Sequence, residues 1–277
     1  MKKVVIICGV SIFILMAMSL IGCGSSSGLA DMMKRMPDDA TEFFVEDFKA
    51  GRAIGADELS EGYGGFLDMW RENLLDVGID LDGTSTLAWY ASDTAAFLIE
   101  GDFNLDNIRA KLEESGEHSE EYRGVEIWTK GDNIEETGDH GDLVYALINS
   151  ALIIVGSEQS IDGCIGVINE GDASIYDNND FRDIIERLPR GLTLQCSVHW
   201  YQEVEGFIIG GFSLVMNSDG TQDFTWVGKF ENSEVVDSAI DIIINGLADD
   251  FIFDPAIAET TQDGEYLTIT AEDQEIY

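Results

Sequence analysis

Positive charge is scarce in this chain. Its 277 residues hold 15 lysines and arginines against 54 acids, a formal net charge of −39. A surface of that sign repels nucleic acid, so nucleic acid is excluded as an expected partner. Proline and histidine are rarer still, at three residues each. His118, His140 and His199 lie far apart and none sits beside a cysteine. That spacing offers neither a metal set nor a nucleophilic triad. No G-x-S-x-G, H-E-x-x-H, Walker or dinucleotide-binding pattern occurs. No catalytic residue, metal ligand or cofactor is therefore expected.

What is present begins at the amino terminus. Met1-Lys2-Lys3 precedes a charge-free run from Val4 to Leu20, the pattern of an export signal with its positive end kept inside. Leu20-Ile21-Gly22-Cys23 then resembles a bacterial lipobox. The resemblance implies cleavage after residue 22, a diacylglyceryl group on the Cys23 sulfur, and a palmitate-type acyl chain on the new amino terminus. Each buried methylene contributes about 0.8 kcal/mol, and stable anchoring takes more than one chain. Residues 23–28 read as lipid anchor and Gly/Ser tether. The competing reading is an uncleaved membrane anchor, for which the run is short against roughly 20 residues. Either way, the rest of the chain is expected outside the cytoplasm, with the membrane as a partner through Cys23.

About 250 residues then remain, enough for one large domain or two small ones. Hydrophobic residues make up 45% of the chain, so a core is available despite the charge. The acids are interspersed with apolar residues, which fits a solvated acidic surface suited to salty surroundings. A surface for cations or cationic partners is the alternative.

Two stretches look alike. "LADMMKRMPDDAT" (29–41) and "FRDIIERLPRGLT" (181–193) share Asp31/Asp183, Arg35/Arg187, Pro37/Pro189 and Thr41/Thr193. In each, a short amphipathic helix ends before a proline that cannot continue it, and a strand follows. "FLIEGDFNLDNIRAKLEE" (97–114) and "WVGKFENSEVVDSAIDII" (226–243) both read as strand, Gly-x-Phe, helix. Each helix leads to a further strand, expected at residues 122–129 and 266–271. An apparent hairpin precedes each Gly-x-Phe, the second turning at residues 217–220. The first half adds a helix near residues 58–76 and a bridging β-β-α unit ending in a helix over 158–168. The expected class is α+β, with mainly antiparallel sheets, helices packed on one face, and an internal duplication of residues 29–180 and 181–277.

Pro37-Asp38-Asp39-Ala40 leading to Phe44, Gly101-Asp102-Phe103, and Tyr122-Arg123-Gly124-Val125 together resemble segments of a group of uncharacterised bacterial exported lipoproteins. The likeness covers roughly residues 30–200 and implies a lipid-anchored envelope protein. No activity is established for that group.

Asp102, Asn104, Asp106 and Glu113 fall at positions 1, 3, 5 and 12 of a calcium loop, but Asn107 stands where that loop needs glycine. The same residues read better as a helix start, with Asn104 as N-cap and Phe103 packing on Ile108. Asp180 is likewise expected to cap the helix that ends at Leu188. His199 is expected to face solvent. Cys164 and Cys196 each fall on an apolar face, and export permits a disulfide between them or two buried free thiols. The functional expectation is a non-enzymatic binding or accessory module of the cell envelope. The alternative is an exported hydrolase using carboxylates or a bound cation.

Overall fold

Phe43 and Val45 are fully buried on one side of a short strand, and Phe44 is buried on the other. A strand buried on both sides needs a sheet covered on both faces. The computed structural model describes residues 26–53, 73–130, 143–202, 204–217, 221–251 and 255–274. Among them runs one twelve-stranded sheet in which every pair is antiparallel.

The strand in question, β1 (Glu42–Glu46), sits near the middle. On one side follow β2 (Thr84–Ala91) and β3 (Ala95–Gly101), then β7 (Leu152–Gly156), β6 (Val144–Asn149), β5 (Val125–Thr129) and β4 (His118–Tyr122) at the edge. On the other side follow β8 (Thr193–Ser197), β9 (Phe207–Met216), β10 (Gln222–Phe230), β12 (Tyr266–Gln274) and the edge strand β11 (Glu259–Asp263). The pairing of β1 with β8, Glu42 opposite Ser197, joins the two sides.

Besides a helical stretch at residues 73–76, the described residues form the helices α1 (Ser26–Met33), α2 (Phe48–Ala53), α3 (Leu105–Glu114), α4 (Glu158–Ile165), α5 (Asn179–Arg187) and α6 (Ser233–Phe251). The α+β antiparallel class is as expected, but the helices lie on both faces rather than one. Alternation along the strands shows it. Leu98 and Ile154 join a core with Met32, Met33, Cys164, Phe181 and Ile184, which brings α1, α4 and α5 onto the first face. Phe97, Ile99, Ile153 and Val155 point the other way and pack with Ile108 and Leu112 of α3. Further along that second face, Phe212, Trp226 and Ile269 pack with Val236, Ala239, Ile243 and Leu247 of α6. That helical spacing places four buried side chains on one stripe.

Local details follow the residues. Asn104 caps α3, its side chain accepting from the Asn107 amide, so the segment resembling a calcium loop is a capped helix. The cap of α5 is Asn178 rather than Asp180, which sits in the first turn. The single strand expected at 122–129 is a hairpin instead. Arg123 and Gly124 take φ of 50° and 76°, the left-handed pair that a two-residue hairpin turn requires. The strand expected at 266–271 is present as β12, and it is paired in a hairpin with a strand not expected from the sequence, β11. The helix over 158–168 changes at Gly166 into a π-helical turn ending at Glu170. Three residues expected in the tether, 26–28, belong to α1. Of the helix expected near 58–76, residues 73–76 are helical and the rest lies outside the described residues, as do Cys23, His140 and the turn residues 218–220.

Candidate functional site

The first face carries a groove of about 240 Å³ between α1 and α5. Leu29, Ala30 and Met33 form one wall, Ile185 and Leu188 the other, with Leu194 of β8 and Tyr176 also lining it. Its shape follows from the two prolines. Pro37 and Pro189 follow the last residues of α1 and α5 by four and two positions, bar either helix from continuing, and lead within five residues into the central strands β1 and β8. The Met36 carbonyl accepts from the Ile175 amide, and Pro37 bridges to Ser174, so the end of α1 is fastened beside Tyr176. At Gly191 a side chain would run into the Leu214 carbonyl, so only glycine lets residues 188–192 pass this close to β9. Lys34 Nζ stands 5.5 Å from the centre of the Tyr176 ring.

Beside the groove, an ion network binds α5 to β10 and β12. Lys229 Nζ lies 2.8 Å from Asp180, 3.2 Å from Asp183 and 3.8 Å from Glu265. The Tyr266 hydroxyl donates to Asp183 at 3.0 Å, and the Arg187 guanidinium lies 3.7 Å over the Tyr266 ring. Burial acts to lower the Lys229 pKa, but hydrogen bonds to Asp180 and Asp183 outweigh it and the pKa is raised. The lysine is therefore a fixed cation with a structural task.

On the second face, Glu46 at the end of β1 is 1% exposed, and its Oε2 has no hydrogen-bond partner among the described residues. Its cross-strand neighbours are Leu87 and Thr193. Burial pushes its carboxyl up to about 7, so it is largely protonated below neutrality. Alternation places Glu46 on the same face as Phe44, and nothing in the sequence signals what covers it there.

The structure separates the other candidates. Cys164 and Cys196 are both buried and both free, so the disulfide does not form. The helix that covers Cys196 is α5, not the α4 that bears Cys164. An added Cβ at Gly211 would collide with Cys196 Sγ and Ile184 of α5, whereas α4 packs over β3, β6 and β7. Cys164 Sγ instead meets the Tyr90 hydroxyl at 3.6 Å, which donates to the Ser160 carbonyl at 2.7 Å. Burial raises the Cys164 thiol to about 12, which makes it a poor nucleophile. His199 is exposed as expected, and its ring nitrogens meet Thr41 and Gln202. His118 is exposed on β4.

No family model matches the chain. It is 24% identical over 285 residues to uncharacterized protein MJ0635 of Methanocaldococcus jannaschii, a match covering 99% of this chain and 97% of that protein. In fold it is similar to TP0453. Crystal form III of TP0453 gives a TM-score of 0.52 at 9% identity, covering 88% of this chain and 94% of the other. Crystal form I gives 0.50 at 9% identity, covering 86% and 92%. The broad antiparallel sheet with its helices is thus an architecture found in a solved structure. Among the described residues no helix is long and apolar enough to cross a membrane.

Proposed function

We propose that this chain is an exported lipoprotein, held at the outer side of a cell membrane by an acylated Cys23, whose folded part serves as a binding or accessory module of the envelope. The observation that carries the reading is the charged, then apolar leader that ends in Leu20-Ile21-Gly22-Cys23. The fold is consistent with it. Helix α1 starts three residues after Cys23 and sends Met32 and Met33 straight into the core, so a folded body follows the anchor almost at once. Mass spectrometry of the mature amino terminus tests the proposal.

A non-catalytic role is supported by the tasks of the charged groups. Arg109 pairs with Glu126 at 2.8 Å and so fastens α3 to β5. Arg123 pairs with Asp162 at 2.7 Å and Glu170 at 2.6 Å, fastening the β4–β5 turn to α4 and the π-helical turn. One observation favours the hydrolase reading, namely Glu46 with its pKa near neutrality. Its nearest same-face acid on β1 is Glu42, four residues away and so about 13 Å along the strand. Paired carboxylates of glycosidases stand about 5–9.5 Å apart, so this pair does not fit that chemistry.

We also propose that the two sides of the sheet arose by duplication. In chain order each runs helix, proline, three-strand meander, helix, hairpin; the first side then adds β6, β7 and α4, and in the sheet its β7 and β6 stand between the meander and the hairpin. The match needs a one-residue shift after the proline. Phe43 and Cys196 face each other on the first face, yet they lie six and seven residues after Pro37 and Pro189. Superposition of the halves in an experimental structure of the chain tests this.

A further inference from the structure

Charge is unevenly spread over this molecule. Residues 26–36 and 176–194, which build α1, α5 and most of the groove between them, carry five acids and five bases. The whole formal charge of −39 therefore resides elsewhere. The neutral region is also the one closest to the anchor in sequence. Cys23 precedes the first residue of α1 by three positions, a span of at most about 11 Å when extended. Leu29, on the groove wall, stands about 4.5 Å further along the helix.

We propose that the α1–α5 groove face rests on the bilayer that holds the anchor, with Leu29, Ala30 and Tyr176 at the boundary between headgroups and hydrocarbon. This inference rests on the lipid-anchored reading above. The physical argument is one of exclusion and fit. With so short a tether, some face must lie within one or two Debye lengths of the headgroups, and an acidic face there is repelled by anionic lipid. A neutral face approaches without that penalty. Its apolar lining gains by leaving water, and a tyrosine among the lining residues suits the interface.

The test uses the full lipidated chain reconstituted in vesicles of phosphatidylcholine and phosphatidylglycerol, with a spin label on lipids near the headgroup. A fluorophore is placed on one introduced thiol at a time, since Cys164 and Cys196 are buried. Ala30→Cys and Glu186→Cys report on the groove. Glu113→Cys on α3 reports on the opposite face of the sheet, and Thr261→Cys on β11 reports on the outer edge of the sheet. Lipid quenching at 30 and 186, at least five-fold stronger than at 113 and 261, is the expected result. Equal quenching at all four, or stronger quenching at 113 or 261, overturns the inference and leaves the anchor intact. Energy transfer between groove labels on neighbouring molecules, with no lipid quenching there, assigns the face to a second copy and overturns it too. A mature protein with no lipid on Cys23 overturns the anchor reading itself, and the inference with it.

Discussion

Lys229 Nζ and Asp180 Oδ1 lie 2.8 Å apart, joining β10 to the first turn of α5. Only 13% of the lysine side chain is exposed, so its charge is satisfied by protein rather than water. Lys229→Met is expected to lower stability by about 1.5–3 kcal/mol, the range for a hydrogen bond to a charged group. Its pH dependence is the sharper check. Burial acts to raise the Asp183 pKa, yet hydrogen bonds from Lys229 and Tyr266 dominate and hold it below the usual carboxylate value. The stabilisation is therefore present above that usual value and is lost as pH falls through the depressed one. Urea melts from pH 7 down to pH 2 should show a shallower acid loss in Lys229→Met than in the parent chain.

Glu46 has the opposite sign. Its folded pKa is raised from 4.5 to about 7 by burial, so the folded state binds the extra proton between those values. Stability should fall as pH rises from about 4.5 to 7 and then level off. At 1.36 kcal/mol per pKa unit the loss is about 3 kcal/mol. Glu46→Gln is expected to remove this slope and to be the more stable chain at pH 8. Melts across pH 4 to 8 decide it, and parallel curves for the two chains contradict the assignment.

Two free thiols are expected in the folded core. An Ellman assay should find neither Cys164 nor Cys196 before denaturation and both after it, without reductant. Gly211→Ala is expected to cost about 1–3 kcal/mol, because its methyl would overpack Cys196 and Ile184.

Asn104→Ala should remove the α3 cap at a cost of about 1 kcal/mol. A capped helix needs no metal, so the melting temperature of the parent chain should be unchanged by a chelator. A fall of many degrees on chelation would restore the calcium-loop reading of residues 102–113.

Local chemistry made part of this fold legible. Pro37 and Pro189 mark two helix ends, Asn104 marks a helix start, and the Gly-x-Phe segments mark two strand-to-helix passages, each through the residue's own backbone preference. Long-range pairing was not legible. Nothing in "EFFVE" says that β1 meets β8 about 150 residues away, or that the sheet is covered on both faces. The thiols show the same limit. The apolar faces of Cys164 and Cys196 could be read from periodicity, but which helix lies over which strand depends on the β1–β8 join. Glu46 escaped notice for that reason too, since alternation gives a residue's face and not what lies over it. The groove was half legible: its two helices were expected, but their adjacency comes from the pairing of the strands that follow them.

The most direct test of the central proposal is the intact mass of the mature chain extracted from membranes, read beside Cys23→Ala. A lipoprotein predicts a chain that starts at Cys23 and carries the added mass of a diacylglyceryl group, and a variant that is neither cleaved nor acylated there. A mature chain that retains Met1, or that starts elsewhere with an unmodified Cys23, contradicts it.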